Sequence, residues 1–150
     1  MELTIRPATT EDGPFLYRLR SDPETSTQSF GPPPPDLGAH LNWLERTLRD
    51  TYTRALFVAD EAGVSVATAR LDYAGMKAEL SYTVAPEARR RGVATEVIRM
   101  MVLMAHSLGV EWLTAQVKEG NLGSKRALAA NGFAVEHISD DVVHYVRRLP

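Results

Sequence analysis

The chain has 150 residues, 44% of them hydrophobic and 24% charged, with a formal net charge of −2 at pH 7. That length favours one domain over residues 1–150 with room for a real core, and the near-neutral balance argues against general affinity for nucleic acid or a membrane surface. There is no cysteine, which excludes disulfides, thiolate metal sites and a cysteine nucleophile, and suits a reducing, cytoplasmic setting.

Residues 3–6, Leu-Thr-Ile-Arg, alternate apolar and polar side chains, so a first strand is expected there, ended by Pro7. Thr10 reads as the cap of a helix through residues 11–22, with Phe15, Leu16 and Leu19 on one face. Pro23 and the run Gly31-Pro32-Pro33-Pro34-Pro35 predict a stiff loop between the two, because proline fixes its own backbone and disfavours helix in the residue before it. Asp36 then reads as an N-cap, followed by Leu37, Leu41, Leu44 and Leu48 at helical spacing.

Residues 54–60 and 64–73 read as strands joined by a turn at Glu61-Ala62-Gly63, and 78–85 as a fourth strand ended by Pro86. A helix is expected from about Val93 to Leu108, stopped by Gly109. Its polar residues Glu96, Arg99 and His106 form only a narrow stripe, which predicts extensive burial. The segment is too short and too polar to span a membrane, and the first residues lack the basic start and apolar run of a signal peptide. Residues 112–118 read as a strand, 121–131 as a short helix stopped by Gly132, and 133–138 with 142–148 as a closing strand pair. The order β-α-α-β-β-β-α-β-α-β-β predicts an α/β fold, a mixed sheet flanked by helices. The unit from Glu79 to Lys118 is its parallel crossover. In such sheets ligands gather beyond the carboxyl ends of strands, near a helix N-terminus.

The run Arg89-Arg90-Arg91-Gly92 lies at the mouth of the long apolar helix. The first N–H groups of a helix lack intrahelical partners and the dipole is positive there, so a phosphate can accept several of them at once. Gly92 has no Cβ to hold a ligand away, Ala94 is small, and the arginines add charge. A diphosphate suits this cradle; a solvated strand-to-helix loop is the plain alternative. Neither the G-x-x-x-x-G-K-[ST] phosphate loop nor the G-x-G-x-x-G dinucleotide fingerprint is present.

The stretch VAPEARRRGVATEV resembles the acyl-CoA-binding motif of the GNAT N-acetyltransferases, Arg/Gln-x-x-Gly-x-Gly/Ala, with Arg89, Gly92 and Ala94 in its three defined positions. Downstream, NLGSKRALAANGF is similar to that family's Asn-x-x-Ser…Gly-Phe segment, at Asn121, Ser124, Gly132 and Phe133. The element order fits the family from Leu3 to the C-terminus. The resemblance implies a mostly antiparallel sheet with a central parallel β-α-β unit that holds acetyl-CoA as cosubstrate, with no metal. It implies that the backbone of Arg90, Arg91, Gly92, Val93, Ala94 and Thr95 holds the pyrophosphate, with Arg89 contributing its side chain. It implies that the strand Tyr82-Thr83-Val84 splays from its neighbour and bonds the pantetheine as an added strand. Asn121 would bind the pantetheine arm with its amide, and Ser124 would lie near the phosphates or the thioester sulfur. Lys125 or Arg126 would meet the adenosine phosphate, or stand as plain exposed helix charges.

The reaction implied is direct acetyl transfer to an amine. A primary amine with a pKa of about 10 is only about 0.1% neutral at pH 7, so a positioned base is worth roughly 10²–10⁴-fold. Glu79, early on the splaying strand, is the candidate base; its plain alternative is a carboxylate facing solvent or paired with an arginine. Tyr82 is a pocket wall and proton donor, or a core aromatic. One departure stands out: many members carry a tyrosine seven residues after the Asn as general acid, and this chain has Leu128. Ser124 or water would then protonate the sulfur, or no acid is needed. That leucine resembles the branch of ribosomal-protein and nucleotide-sugar acetyltransferases.

On the acceptor side, residues 19–30 and 40–48 resemble segments of the sugar-amine and ribosomal-protein branches. Trp43 offers a stacking face, or packs beneath the proline run. His106, His137 and His144 have no metal-ligand spacing, and Met100, Met101 and Met104 read as core filler. The expectation is an enzyme acting on the primary amine of a small molecule, an amino sugar among the acceptors. A protein N-terminal or lysine acetyltransferase and a non-catalytic acyl-CoA-binding module are the alternatives. Homodimer formation through the terminal strands follows from the resemblance alone.

Overall fold

The computed structural model describes residues 1–150. Its strands are β1 (Leu3–Pro7), β2 (Arg54–Glu61), β3 (Val64–Ala74), β4 (Lys77–Val84), β5 (Trp112–Lys118), β6 (Ala134–Ser139) and β7 (Val142–Arg148). The helices are α1 (Gly13–Ser21), α2 (Pro23–Gln28), α3 (Leu37–Arg49), α4 (Val93–Ser107) and α5 (Leu122–Ala130). One mixed sheet runs β1-β2-β3-β4-β5-β7-β6, antiparallel at every pairing except the parallel pair β4 and β5. The strand-helix-strand unit read from residues 79–118 is that parallel pair with α4 between its strands.

Strand alternation divides the sheet into two faces. On β3, Ala67, Ala69 and Leu71 point to the face covered by α4, where they join Val97, Ile98, Met101, Leu113 and Leu128 in the main core. Thr68 and Arg70 point the other way. They stand opposite Val58 and Leu56 of β2, which form a smaller core with Ala8, Leu16 and Leu44 under α1 and α3. The register of β3 with β4 carries this second face across to Glu79, Ser81 and Thr83. The sheet therefore presents polar side chains beside a helical cover, which is where a site can form.

Four local expectations are corrected. First, the stretch after Pro23 is not all loop: residues 23–28 form α2, because proline is tolerated at the first helical position and Asp22 caps it by accepting from the Thr25 N–H at 3.1 Å. Second, Thr10 is not the helix cap. A short 3-10 turn over Thr10–Asp12 precedes α1, and Asp12 accepts from the Thr9 N–H at 2.8 Å and pairs with Arg6 at 2.8 Å. Third, α4 is half-buried: Leu103 is 58% exposed, so the exposed face extends beyond the polar stripe of Glu96, Arg99 and His106. Fourth, α3 is rotated from its leucine stripe. His40, Leu44 and Thr47 are the buried residues, while Leu37 and Leu41 stand partly outside. Asp36 caps α3 as expected, accepting from the Ala39 N–H at 2.7 Å.

Candidate active site

The parallel pairing of β4 and β5 spans only Lys77–Trp112, Ala78–Leu113 and Glu79–Thr114. Beyond it the strands part, while β4 stays paired to β3 through Val84 and β5 stays paired to β7 through Lys118. The sheet thus splits down its middle. The Ala85 N–H donates to Val66 O at 2.8 Å, so by antiparallel alternation the N–H and C=O groups of Tyr82 and Val84, beyond the last pairing with β5, point away from β3, into the split. A cleft of about 1560 Å³ opens there, lined by β4, β5, α1, α2, α3 and the first turns of α4 and α5.

At the carboxyl end of β4 the chain passes through a 3-10 turn, Pro86–Ala88, into the arginine run. Arg90 has φ 61 and Gly92, the N-cap of α4, has φ 80, both left-handed. Gly92 offers no side-chain cap. None of the loop and cap hydrogen bonds is donated by a backbone N–H between residues 90 and 95. Alternating backbone of this kind turns successive N–H groups into one concavity, an anion nest at a positive helix end. The requirement for glycine is conformational: only the Met1 Cε lies within 4 Å of where a Cβ would stand, at 3.9 Å.

The three arginines do different things. Arg89 donates to Glu24 at 2.8 Å, to Asp22 at 2.6 Å and to Thr25 Oγ1 at 3.2 Å, so its guanidinium ties the cradle to the start of α2. The same side chain lines the cleft beside the nest. Arg91 makes a two-pronged pair with Glu61 at 2.7 and 2.8 Å. Arg90 is exposed and makes no ion pair.

Across the split, Asn121 is the N-cap of α5: its Oδ1 accepts from the Ser124 N–H at 3.3 Å, which leaves its Nδ2 free. Ser124 and Arg126 line the cleft with it, whereas Lys125 pairs with Glu119 at 3.1 Å. Tyr82 packs its ring against the core, and its Oη is buried with no hydrogen-bond partner. Burial pushes its phenol up to about 12; the nearby Ser124 hydroxyl offsets part of that rise. Leu128 is 0% exposed and belongs to the main core. A side chain at 128 points away from the cleft, so no proton donor comes from that position.

Toward the other end of the cleft, Glu79 Oε1 accepts from Gln116 Nε2 at 2.7 Å. The carboxylate is therefore oriented across the seam by an amide rather than by an arginine. His40, Trp43, Phe30 and Gly31 also line the cleft. His40 and Trp43 stack obliquely, with ring centroids 5.2 Å apart, so Trp43 lines the cleft and supports His40 at once. Arg20, Arg70 and Gln116 also line it. None of these three carries a sequence signal, since each is an ordinary polar residue within a helix or strand. The remaining histidines lie elsewhere: His137 stacks on His144 with centroids 4.1 Å apart. No three His, Cys, Asp or Glu side chains are grouped to hold a metal ion, and no helix is long and apolar enough to cross a membrane.

This geometry fits an extended thiol cofactor bearing a diphosphate. The nest of residues 90–95 would hold the diphosphate, and the open edge of β4 with the Asn121 amide would bond an amide-bearing arm. Comparison with known proteins agrees. Residues 2–134 match the family described as the acetyltransferase (GNAT) domain. The chain belongs to the GNAT acetyltransferase family and is an acetyl-CoA-dependent acetyltransferase. Its fold is shared with spermidine N-acetyltransferase from Vibrio cholerae in complex with CoA and spermine, at 19% identity and TM-score 0.89 over 97% of this chain and 95% of that one. An N-acetyltransferase from Staphylococcus aureus Mu50 superposes with TM-score 0.83 at 20% identity, covering all of both chains. Ribosomal-protein-alanine N-acetyltransferase from Brucella melitensis does so with TM-score 0.80 at 24% identity, over 97% of this chain and 99% of that one. No curated protein matches the sequence.

Proposed function

We propose that this protein transfers the acetyl group of acetyl-CoA directly to the primary amine of a small molecule, with amino sugars among the first acceptors to test. The observation that carries the reading is the split between β4 and β5, which joins the anion nest at one end to the walled pocket around Glu79 at the other. His40 and Trp43 give the cleft an aromatic wall against which a small acceptor can pack.

Acetyl-CoA supplies an activated thioester; the other tasks fall to protein groups. Glu79, held by Gln116, accepts the proton that the acceptor ammonium must lose. The Tyr82 N–H, pointing into the split, is a fixed donor for the oxygen that gains negative charge. With Leu128 in the core, the buried hydroxyl of Tyr82 is the proton donor to the leaving sulfur, with Ser124 beside it. Its raised pKa keeps it protonated throughout the physiological range.

A thiol-release assay with acetyl-CoA against small amines, amino sugars and peptides tests the reading. Saturable CoA binding without turnover of any amine would leave a binding module instead. Tyr82→Phe separates two roles for the hydroxyl. Deleting an unpartnered buried hydroxyl leaves the melting temperature equal or higher, while loss of a proton donor lowers kcat by roughly 10²-fold or more. Unchanged kcat would make Tyr82 a wall only. The exposed edge strand β6, with Val135 and Ile138 outward, supports a homodimer formed by edge pairing; a monomeric mass in sedimentation would rule that out.

A further inference from the structure

We propose that the acceptor amine carries an anionic group, a carboxylate or a phosphate, and that Arg20 with His40 receives it. This inference deepens, and rests on, the amine-acetyltransferase reading above.

Arg20 lies in the last turn of α1 and lines the cleft. Its Nη2 donates to Gly31 O at 2.8 Å and Pro32 O at 3.0 Å, so the guanidinium is fixed by the proline run. Its Nη1 is buried and donates to nothing. No carboxylate pairs with Arg20, in contrast to its neighbours: Arg70 is held by Asp72 at 2.9 Å, and Arg89 by Asp22 and Glu24. Burial, then the positive charge of Arg70, holds the Arg20 pKa below its ordinary value, so the cation sits in surroundings that do not balance it.

His40 faces the same space. It is 5% exposed, and its Nε2 is buried without a partner. Burial, then the charge of Arg20, lowers its pKa, which keeps the imidazole neutral with one N–H to give. Unmet buried donors are costly, and costlier when charged. The unpartnered Arg20 Nη1 is such a donor, and the neutral His40 beside it can turn an N–H from its equally unpartnered Nε2 toward a ligand; on different helices and lining one cleft, they describe a receptor for a group with acceptor oxygens and a negative charge.

The acidic residues of the cleft do not reverse this. Glu24 is committed to Arg89 and Glu79 is bound by Gln116. An acceptor with an anionic group can give its amine to Glu79 and its oxygens to Arg20. A polyamine would place a second positive charge beside Arg20 and Arg70, where it is repelled.

The test is a matched acceptor panel read as kcat/KM: an amino carboxylate, its neutral amide, the corresponding diamine, and an amino-sugar phosphate beside its unphosphorylated sugar. The anionic acceptor should exceed its neutral partner by about tenfold or more, the scale of one charged hydrogen bond. Whichever pair shows the preference identifies carboxylate or phosphate as the group. Arg20→Met should bring that ratio close to one, mainly through KM, and Arg20→Lys should restore part of it. Should Arg20→Met fail to fold, the wild-type ratio and Arg20→Lys decide. A diamine or neutral amine used as well as the anionic one, with a ratio indifferent to Arg20, overturns the inference while leaving the acetyltransferase reading intact. Calorimetric binding of the same acceptors to the CoA-loaded protein separates the opposite case. Arg20-dependent binding without turnover would sustain the anion receptor and sink the enzymatic reading.

Discussion

Gly92→Glu is expected to weaken CoA binding by at least about 100-fold while the protein still unfolds cooperatively. Two costs add. The residue holds φ 80, a left-handed conformation that costs an L-residue roughly 1–2 kcal/mol. The new carboxylate also stands among the N–H groups of residues 90–95, occupying the nest and repelling a diphosphate. Gly92→Ala isolates the first cost: it should lower stability by about 1 kcal/mol and weaken CoA only modestly, because the protein leaves space around the position. Calorimetric titration with CoA, paired with a melting curve, distinguishes the two. Wild-type affinity in the glutamate variant would show that the nest is an ordinary solvated loop, and the CoA assignment to these residues would fall.

Glu79→Gln should lower kcat/KM by roughly 10²–10⁴-fold, the usual contribution of a positioned base, with CoA affinity unchanged. The substitution keeps the size of the side chain and an oxygen that can accept from Gln116, so packing across the seam survives. Only the ability to take a proton is lost. Activity within about twofold of wild type would assign Glu79 to bridging the last paired residues of β4 and β5, and the base would have to be sought elsewhere in the cleft. A fall in CoA affinity instead of turnover would mean that the carboxylate shapes the split rather than the chemistry.

Much of the fold was legible because its punctuation is local. Proline and glycine end the strands and helices where expected, and period-two alternation in β2, β3 and β4 marks two-faced strands. The split itself was legible only through family resemblance, since nothing in the composition of Tyr82–Val84 says that a neighbour is missing. Helix α2 was missed because Pro23 was read as a breaker, although after a capping Asp22 proline suits the first helical position. The rotation of α3 was missed because its leucine spacing is real but not decisive. A Cβ on Gly13 would fall 2.2 Å from a Leu41 methyl and 3.6 Å from a Leu44 methyl, so α1 and α3 meet closely there, with His40, Leu44 and Thr47 as the buried residues of α3. The unequal roles of Arg89, Arg90 and Arg91 were expected from the resemblance, but their ion-pair partners were not legible, because the carboxylates that claim two of them lie 30 to 67 residues away in the chain.

The parting of β4 from β5 has a consequence for how the protein exchanges its amide protons with water. Amides at the middle of a seven-stranded sheet normally exchange only on deep unfolding. Tyr82 and Val84 occupy the middle by strand order, yet their N–H groups face the split, so in the free protein they should exchange like an outer edge, while Ser81 and Thr83, bonded to β3, remain protected. Adding CoA should slow the first set and leave the second unchanged. That alternation, one residue fast and the next slow along a single central strand, would be the signature of a sheet whose missing partner is its ligand.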